Sequence, residues 1–173
     1  MTTTETHEQY KSRLAGYVEG KNPVALQREA LRTIESLIHG VPIAVLKQRP
    51  SADKWSVTEI LAHLAEDELV SSWRYRQMLE HETPALLDFN QDVWASLGKY
   101  SAWSPEDAFA MFRLLREANL RMFEHLTTSQ WERDGIHAER GLITVGEHCR
   151  HMAAHDINHI EQIKRILVPL PTV

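Results

Sequence analysis

The sequence contains little cysteine and no long apolar run. One Cys among 173 residues excludes a disulfide framework and any metal site built from several thiolates. No stretch approaches the roughly 20 apolar residues that span a bilayer. The polar segment from Met1 to Gly20 lacks the apolar core of a secretory signal. We therefore expect a soluble, cytoplasmic protein with no membrane partner.

Basic charge is also scarce. The chain has 19 Lys and Arg against 24 Asp and Glu, a net charge of −5, whereas a general nucleic-acid binder needs a basic stripe. No glycine-rich phosphate loop is present, so ATP and NAD are not expected. No Ser/His/Asp or Cys/His arrangement for nucleophilic catalysis is evident. Histidine, in contrast, is abundant, with ten residues.

Apolar periodicity predicts four amphipathic helices. Each begins at a capping residue: Asn22, Ser56, Ser104 and Thr144. The second and fourth open with a capping box, and the first and third with a cap followed by proline. No segment shows sustained strand-like alternation, so strands should be absent or minor. We predict an all-α four-helix bundle in a single domain over residues 1–173, with residues 1–21 as a polar N-terminal extension.

The connection between the second and third helices is long and rich in aromatic residues. It runs from about Thr83 to Trp103 and includes Phe89, Trp94 and Tyr100. Bare loops of this length are uncommon in compact domains, so we expect a short helix near residues 90–97, packed over one end of the bundle. A long crossover also allows the second and third helices to run parallel.

Histidines recur on the predicted fourth helix at His148, His151, His155 and His159. Residues four apart on a helix differ by only about 40°, so these side chains form one stripe that borders the apolar face. Cys149 falls on the other side and is a poor ligand candidate. On the second helix, His63 also borders the apolar face.

This arrangement predicts a metal site. Two histidines four residues apart in this stripe, together with His63 from a facing helix, would form a three-imidazole set that suits zinc, nickel, iron or copper. Three protein ligands leave a position for water or substrate, as in catalytic sites. On spacing alone, a His-x-x-x-His pair is more often a coincidence or a surface feature than a metal site.

Three further residues are candidate partners of this site. Asp67 lies one turn after His63 and would orient it or hold a substrate, or be a solvated acid. His151 and Asn119 are candidate outer partners or substrate contacts, although either could be an ordinary buried residue. His137 is either exposed or at the rim, and we favour exposure. We expect the remaining histidines to be surface residues: His7, His39, His81 and His125.

Three motifs in order resemble the DinB/YfiT superfamily. They are the run from Trp55 to Leu64, the Gly141 and Thr144 pair, and the run from His151 to Ile163. The resemblance covers residues 23–167, which is nearly the whole chain. It implies an up-down-down-up four-helix bundle whose divalent ion, zinc or nickel, is held at the positions of His63, His155 and His159.

The resemblance also implies a range of activities. Characterised members include transferases and isomerases that use mycothiol, bacillithiol or glutathione, and some assigned as hydrolases. Many are dimeric, and the family name implies no DNA binding. We therefore predict a metal-dependent S-transferase or hydrolase that acts on a small molecule, with a low-molecular-weight thiol as a possible cofactor and a homodimer as a possible assembly. The aromatic connection would form an apolar wall over the metal.

Two other functions remain open at this stage. The chain could be a non-enzymatic metal-binding or small-molecule-binding bundle, in which the ion is structural or regulatory. It could also be a helical interaction module whose histidines only border a core. A fully coordinated ion would favour the first of these, and the lack of any bound ion would favour the second.

Overall fold

The computed structural model describes residues 6–168. Its helices are α1 (His7–Val18), α2 (Pro23–Ile38), α3 (Ile43–Leu46), α4 (Val57–Glu80), α5 (Gln91–Leu97), α6 (Pro105–Phe123), α7 (Thr128–Trp131) and α8 (Val145–Leu167). Its strands are β1 (Ala85–Leu86), β2 (Asp134–His137) and β3 (Gly141–Thr144), and a 3₁₀ turn spans Tyr100–Ala102. None of these helices is long and apolar enough to cross a membrane.

The four predicted helices are α2, α4, α6 and α8, and all four predicted caps form. The hydroxyls of Ser56 and Thr144 each accept a hydrogen bond from a glutamate N–H three residues later, and both capping boxes are complete. Asn22 and Ser104 cap the other two helices, with proline at the first helical position. The prediction of a mainly helical four-helix bundle is confirmed.

Side-chain contacts define how the four helices run. Glu68 and Ser72 of α4 bond in the same order to Arg116 and Asn119 of α6, so α4 and α6 are parallel. Helix α8 runs antiparallel to α4, because His63 meets His159 while Ser71 meets Met152. Helix α2 runs parallel to α8, since Gln27 meets Cys149 and Ile34 shares a cluster with Ile163. The helices therefore run up-down-down-up, as predicted.

The crossover from α4 to α6 contains the short helix that the sequence predicts. This is α5, which begins after the cap Asn90 and ends at Leu97. The Tyr100 ring is buried, its hydroxyl donates to Glu66 at 2.6 Å, and the Trp103 indole N–H donates to the Gly98 carbonyl at 2.8 Å. The crossover is thus a folded segment that packs against the bundle.

The polar segment that precedes α2 contains a helix that was not predicted from the sequence. Helix α1 begins with a capping box at Thr6. Leu14 and Val18 are buried in a cluster with Ala153 and Ala154 of α8. The small alanines let α1 approach closely, and its few apolar positions explain why periodicity alone did not predict it.

A small sheet lies beside the N-terminus of α8. Strand β1 pairs parallel with β2, and β2 and β3 form an antiparallel hairpin. A Cβ at Gly135 would lie 3.0 Å from the side chains of Leu86 and Met78, so this position needs glycine. Strands this short give no readable alternation in sequence. The hairpin nevertheless matters, because it brings His137 and Arg140 to the bundle.

A buried network of charges joins three of the helices. The fully buried Arg116 donates to Asp156 Oδ2 at 2.5 Å and to Glu68 Oε2 at 2.7 Å. The amide of Asn119 donates to the second oxygen of Glu68 at 2.7 Å. Because both carboxylates have donors, their burial is compensated by hydrogen bonds as well as by charge.

Candidate metal centre

The antiparallel packing of α4 and α8 brings three imidazoles together. The Nε2 atom of His155 lies 3.2 Å from Nε2 of His63 and 3.1 Å from Nε2 of His159. All three candidate ligand atoms lie within 4.8 Å of one another. His63 and His159 are buried, and His155 is largely so. The three predicted ligands thus share one point, which one ion could occupy.

The outer nitrogens of two of these rings face acceptors. Nδ1 of His159 lies 2.9 Å from the amide oxygen of Gln162, and Nδ1 of His155 lies 3.4 Å from Oδ2 of Asp67. An amide oxygen only accepts, so Nδ1 of His159 carries the hydrogen and its Nε2 carries a lone pair. Nδ1 of His155 is buried without a hydrogen-bond partner among the described residues. The His63 ring packs against Trp55, with centroids 5.1 Å apart.

These contacts fit a cation. The Nε2 atoms of His155 and His159 lie 3.1 Å apart, and that of His159 presents a lone pair towards the shared point. A neutral imidazole offers one such lone pair to a metal ion. Imidazole nitrogens backed by a carboxylate or amide oxygen are the usual ligands of divalent zinc and nickel. The donor set therefore suits a divalent metal.

Burial keeps the three imidazoles neutral. It lowers the pKa of His63 to about 3, with a further contribution from His159, and the pKa of His159 to about 4. It also holds the pKa of His155 well below the ordinary value. Neutral imidazole is the form that binds metal. Burial and the nearby Glu68 raise the pKa of Asp67 to about 7.

A pocket of about 630 Å³ opens beside the cluster. Its lining is mostly polar: His63, Asp67, Arg74, Asp88, Phe89, Asn90, Gln91, Asp92, His137, Glu139, Arg140, His151 and His155. The prediction that the aromatic crossover forms an apolar wall over the metal is therefore wrong for most of that segment. Phe89 alone of the four aromatic residues lines the pocket, because Tyr100 and Trp103 pack into the core and Trp94 stacks on Phe89.

Comparisons with known proteins agree with this geometry. The family model of the DinB superfamily matches residues 26–163. The chain belongs to the DinB superfamily. YfiT of Bacillus subtilis (strain 168), whose name assigns it provisionally to the metal-dependent hydrolases, is 27% identical over 116 residues, or 64% of this chain and 65% of YfiT. OB0782 of Oceanobacillus iheyensis has a similar provisional name and is 24% identical over 109 residues, covering 63% of each chain.

The solved structure of Bacillus subtilis YfiT is described as an unusual four-helix bundle. It superposes with a TM-score of 0.77 at 19% identity, over 96% of this chain and 90% of that chain. This likeness shows the fold. In sequence, the chain spans just under two thirds of the length of these two relatives. The names and the three-histidine cluster together support a divalent-metal site in this DinB protein.

Of the other residues predicted for the site, His151 and Asp67 line the pocket of this DinB bundle, and Asn119 does not. Asp67 faces His155 and not His63. Asn119 is fully buried, with bonds to Glu68 and Ser72, which matches the alternative of an ordinary buried residue. Asn119 lies on the apolar stripe of α6 because it is part of the buried charge network.

Cys149 lies away from the cluster, as predicted, and the described histidines expected at the surface are exposed. Cys149 is buried and its sulfur accepts a hydrogen bond from Gln27 at 3.3 Å, away from the histidine cluster. Burial raises its thiol pKa to about 12. His39, His81 and His125 are exposed, and the side chain of His7 lies outside the described part of the chain.

Sequence reasoning did not select Arg74 and Arg140, and it favoured exposure for His137. His137 is buried and lines the pocket, contrary to the expected exposure. Arg140 comes from the same hairpin, whose folding onto α8 leaves no local signal. Arg74 could have been found, because it lies eleven residues after His63 and so on nearly the same face of α4.

Proposed function

We propose that this protein is a divalent-metal-dependent enzyme, a hydrolase or a thiol S-transferase, in which His63, His155 and His159 hold the ion. Zinc or nickel suits this set of ligands. The observation that carries the proposal is the convergence of three Nε2 atoms beside an open pocket. The provisional hydrolase names of the relatives support it.

When bound, such an ion lowers the pKa of a water molecule to about 7 or holds a thiol as its thiolate. Neighbouring side chains of the protein hold the three imidazole rings in position. Gln162 fixes the tautomer of His159, Asp67 faces Nδ1 of His155, and Trp55 packs on His63. Three protein ligands leave the fourth tetrahedral position free. Cys149 lies apart from the cluster, so any sulfur nucleophile would come from a small thiol.

The ligand would be a small molecule. A pocket of about 630 Å³ falls within the range of about 300–1,000 Å³ that such ligands occupy. The many polar side chains of the pocket favour a polar substrate over an apolar one. A homodimer, which the family resemblance implies, is part of this proposal and is tested by the solution mass.

Metal content tests the centre directly. Elemental analysis of untagged protein should find about one divalent ion per chain. The variants His155→Ala and His159→Ala should lose it, because two ligands cannot hold the ion against a chelator. His125→Ala, which removes an exposed histidine, is the matched control and should keep it. A metal content unchanged in the first two variants would contradict the site.

Turnover then separates an enzyme from a non-enzymatic metal protein. We expect the loaded protein to hydrolyse members of an ester and amide panel, or to join low-molecular-weight thiols to electrophiles. Omitting the thiol distinguishes the two reactions. Activity should require both the ion and His155. A stoichiometric ion with no turnover above buffer would favour the binding or structural alternative.

A further inference from the structure

Two arginines lie in the same pocket as the histidine cluster. Arg74 is on α4 and is only 5% exposed. Arg140 is in the turn between β2 and β3 and is also partly buried. Both line the pocket together with His63 and His155. Arginine is rarely buried unless it is paired. Each of these two side chains is therefore expected to have a partner.

Neither guanidinium is hydrogen-bonded to a carboxylate of the described residues. Arg74 donates to the Leu87 carbonyl at 2.7 Å, and its nearest carboxylate oxygen, on the half-exposed Asp88, is 4.0 Å away. Arg140 donates to Nδ1 of His148 at 2.8 Å. The Nε atoms of both arginines are buried without a hydrogen-bond partner. Within residues 6–168, no carboxylate lies at hydrogen-bonding distance from either.

A neutral relay holds Arg140 in place. A guanidinium only donates, so Nδ1 of His148 accepts and its Nε2–H donates to the Ser71 hydroxyl at 3.2 Å. That hydroxyl donates in turn to the sulfur of Met152 at 3.1 Å. The relay orients Arg140 but brings no negative charge. The pocket therefore holds a cation in a fixed geometry before any ligand arrives.

Four carboxylates also line the pocket, on Asp67, Asp88, Asp92 and Glu139, but none in the described part of the chain is hydrogen-bonded to either arginine. Burial, with Arg140 and Arg74 adding to it, lowers the pKa of His137 and His151 to about 4. A guanidinium held out of water without a hydrogen-bonded carboxylate is costly, and an anionic ligand that binds both arginines directly would offset that cost.

We propose that Arg74 and Arg140 form an anion subsite that binds the carboxylate or phosphate of a small molecule at the edge of the histidine cluster. Planar guanidinium groups bind both anions through paired hydrogen bonds. That this ligand is the substrate rests on the proposed function. The binding itself needs only the arginines, so it can be measured without turnover.

Calorimetric titration tests the subsite at pH 8, where the pocket histidines are neutral. The probes are succinate, inorganic phosphate and the uncharged analogue succinamide. We expect at least one anion to bind and succinamide not to. Arg74→Gln and Arg140→Gln should each raise the Kd about tenfold or more. Arg113→Gln removes the same charge from an exposed position on α6 and should leave the Kd unchanged.

A second titration after chelator treatment separates the arginines from the metal. Arginine-dependent binding that persists without the ion supports the subsite, even if the protein proves to have no metal or no turnover. Failure of both anions to bind the wild type overturns the proposal, as does binding that needs the ion and ignores the arginines. If a glutamine variant does not fold, the lysine variant replaces it, and an unchanged Kd there also overturns the paired-bond subsite.

Discussion

Two clusters of buried polar groups lie next to each other along α8, and they differ in whether their arginines are hydrogen-bonded to carboxylates. In the charge network, Arg116 binds two carboxylates, and Asn119 binds one of them again. In the pocket, Arg74 and Arg140 are hydrogen-bonded to no carboxylate of residues 6–168, Asp88 lies 4.0 Å from Arg74, and three Nε2 atoms face one another. Satisfied polar groups stabilise a fold, whereas unsatisfied ones are kept where a ligand completes them.

Neighbouring residues are divided between the two clusters. On α4, Asp67 faces His155 while Glu68 faces Arg116. On α8, His155 belongs to the metal cluster while Asp156 binds Arg116. Successive residues on a helix are about 100° apart, so one pair of helices can present both clusters. The comparison predicts that substitutions in the first cluster affect stability and substitutions in the second affect ligand binding.

The largest expected effect is on the charge network. Arg116→Met should lower the free energy of unfolding by about 3–5 kcal/mol, because it leaves two carboxylates buried without their cation. Urea unfolding monitored by circular dichroism measures this loss. Folded Arg116→Met protein should still bind about one divalent ion per chain, since none of the three candidate ligands is changed.

An exposed ion pair provides the control for that loss. Arg28 and Glu124 are 2.6 Å apart, with about half of each side chain exposed. Glu124→Gln should change the free energy of unfolding by less than about 1 kcal/mol. The contrast between complete and incomplete clusters would fail if the two variants were equally stable.

A smaller effect is expected at the outer contact of the metal site. Asp67→Asn should weaken the divalent metal affinity about 10- to 100-fold, because the carboxylate that orients His155 is lost. Competition with a coloured chelator measures this affinity. Asp88→Asn is the matched control, because Asp88 lines the same pocket but its ion-pair contact is with Arg74. Equal affinities in the two variants would show that Asp67 does not support the ligand.

The sequence predicted those features that depend on one helix at a time. Caps and periodicity located α2, α4, α6 and α8, spacing placed His151, His155 and His159 in one stripe, and the family resemblance selected His155 and His159. It did not predict which ring Asp67 faces. Periodicity gives each residue's angle on its own helix, but the relative rotation of α4 and α8 depends on packing between them. Asp67 was therefore assigned to His63, and the structure places it at His155.

Features that join distant segments were not predictable from periodicity. The hairpin that carries His137 and Arg140 pairs with β1, about 50 residues earlier in the chain. Each of its strands has only four residues, too few to reveal a buried face. The expected exposure of His137 was wrong for this reason.

The smallest expected effect is a pH dependence at His137. Burial, with Arg140 and Arg74 adding to it, lowers its pKa to about 4, whereas histidine in an unfolded chain titrates near 6.5. Between these pH values the unfolded state binds more protons, so stability falls as the pH decreases. His137→Asn should lose less stability than the wild type between pH 8 and pH 5, by up to about 2 kcal/mol.

Urea unfolding at both pH values, with chelator present throughout, measures that difference without a contribution from bound metal. His125→Asn replaces an exposed histidine and should follow the wild type at both pH values. If His137→Asn also followed the wild type, His137 would not be held neutral by burial and the two arginines. The positive charge inferred for the pocket would then be screened or paired, and the contrast with the neutralised Arg116 network would be weaker than the contacts indicate.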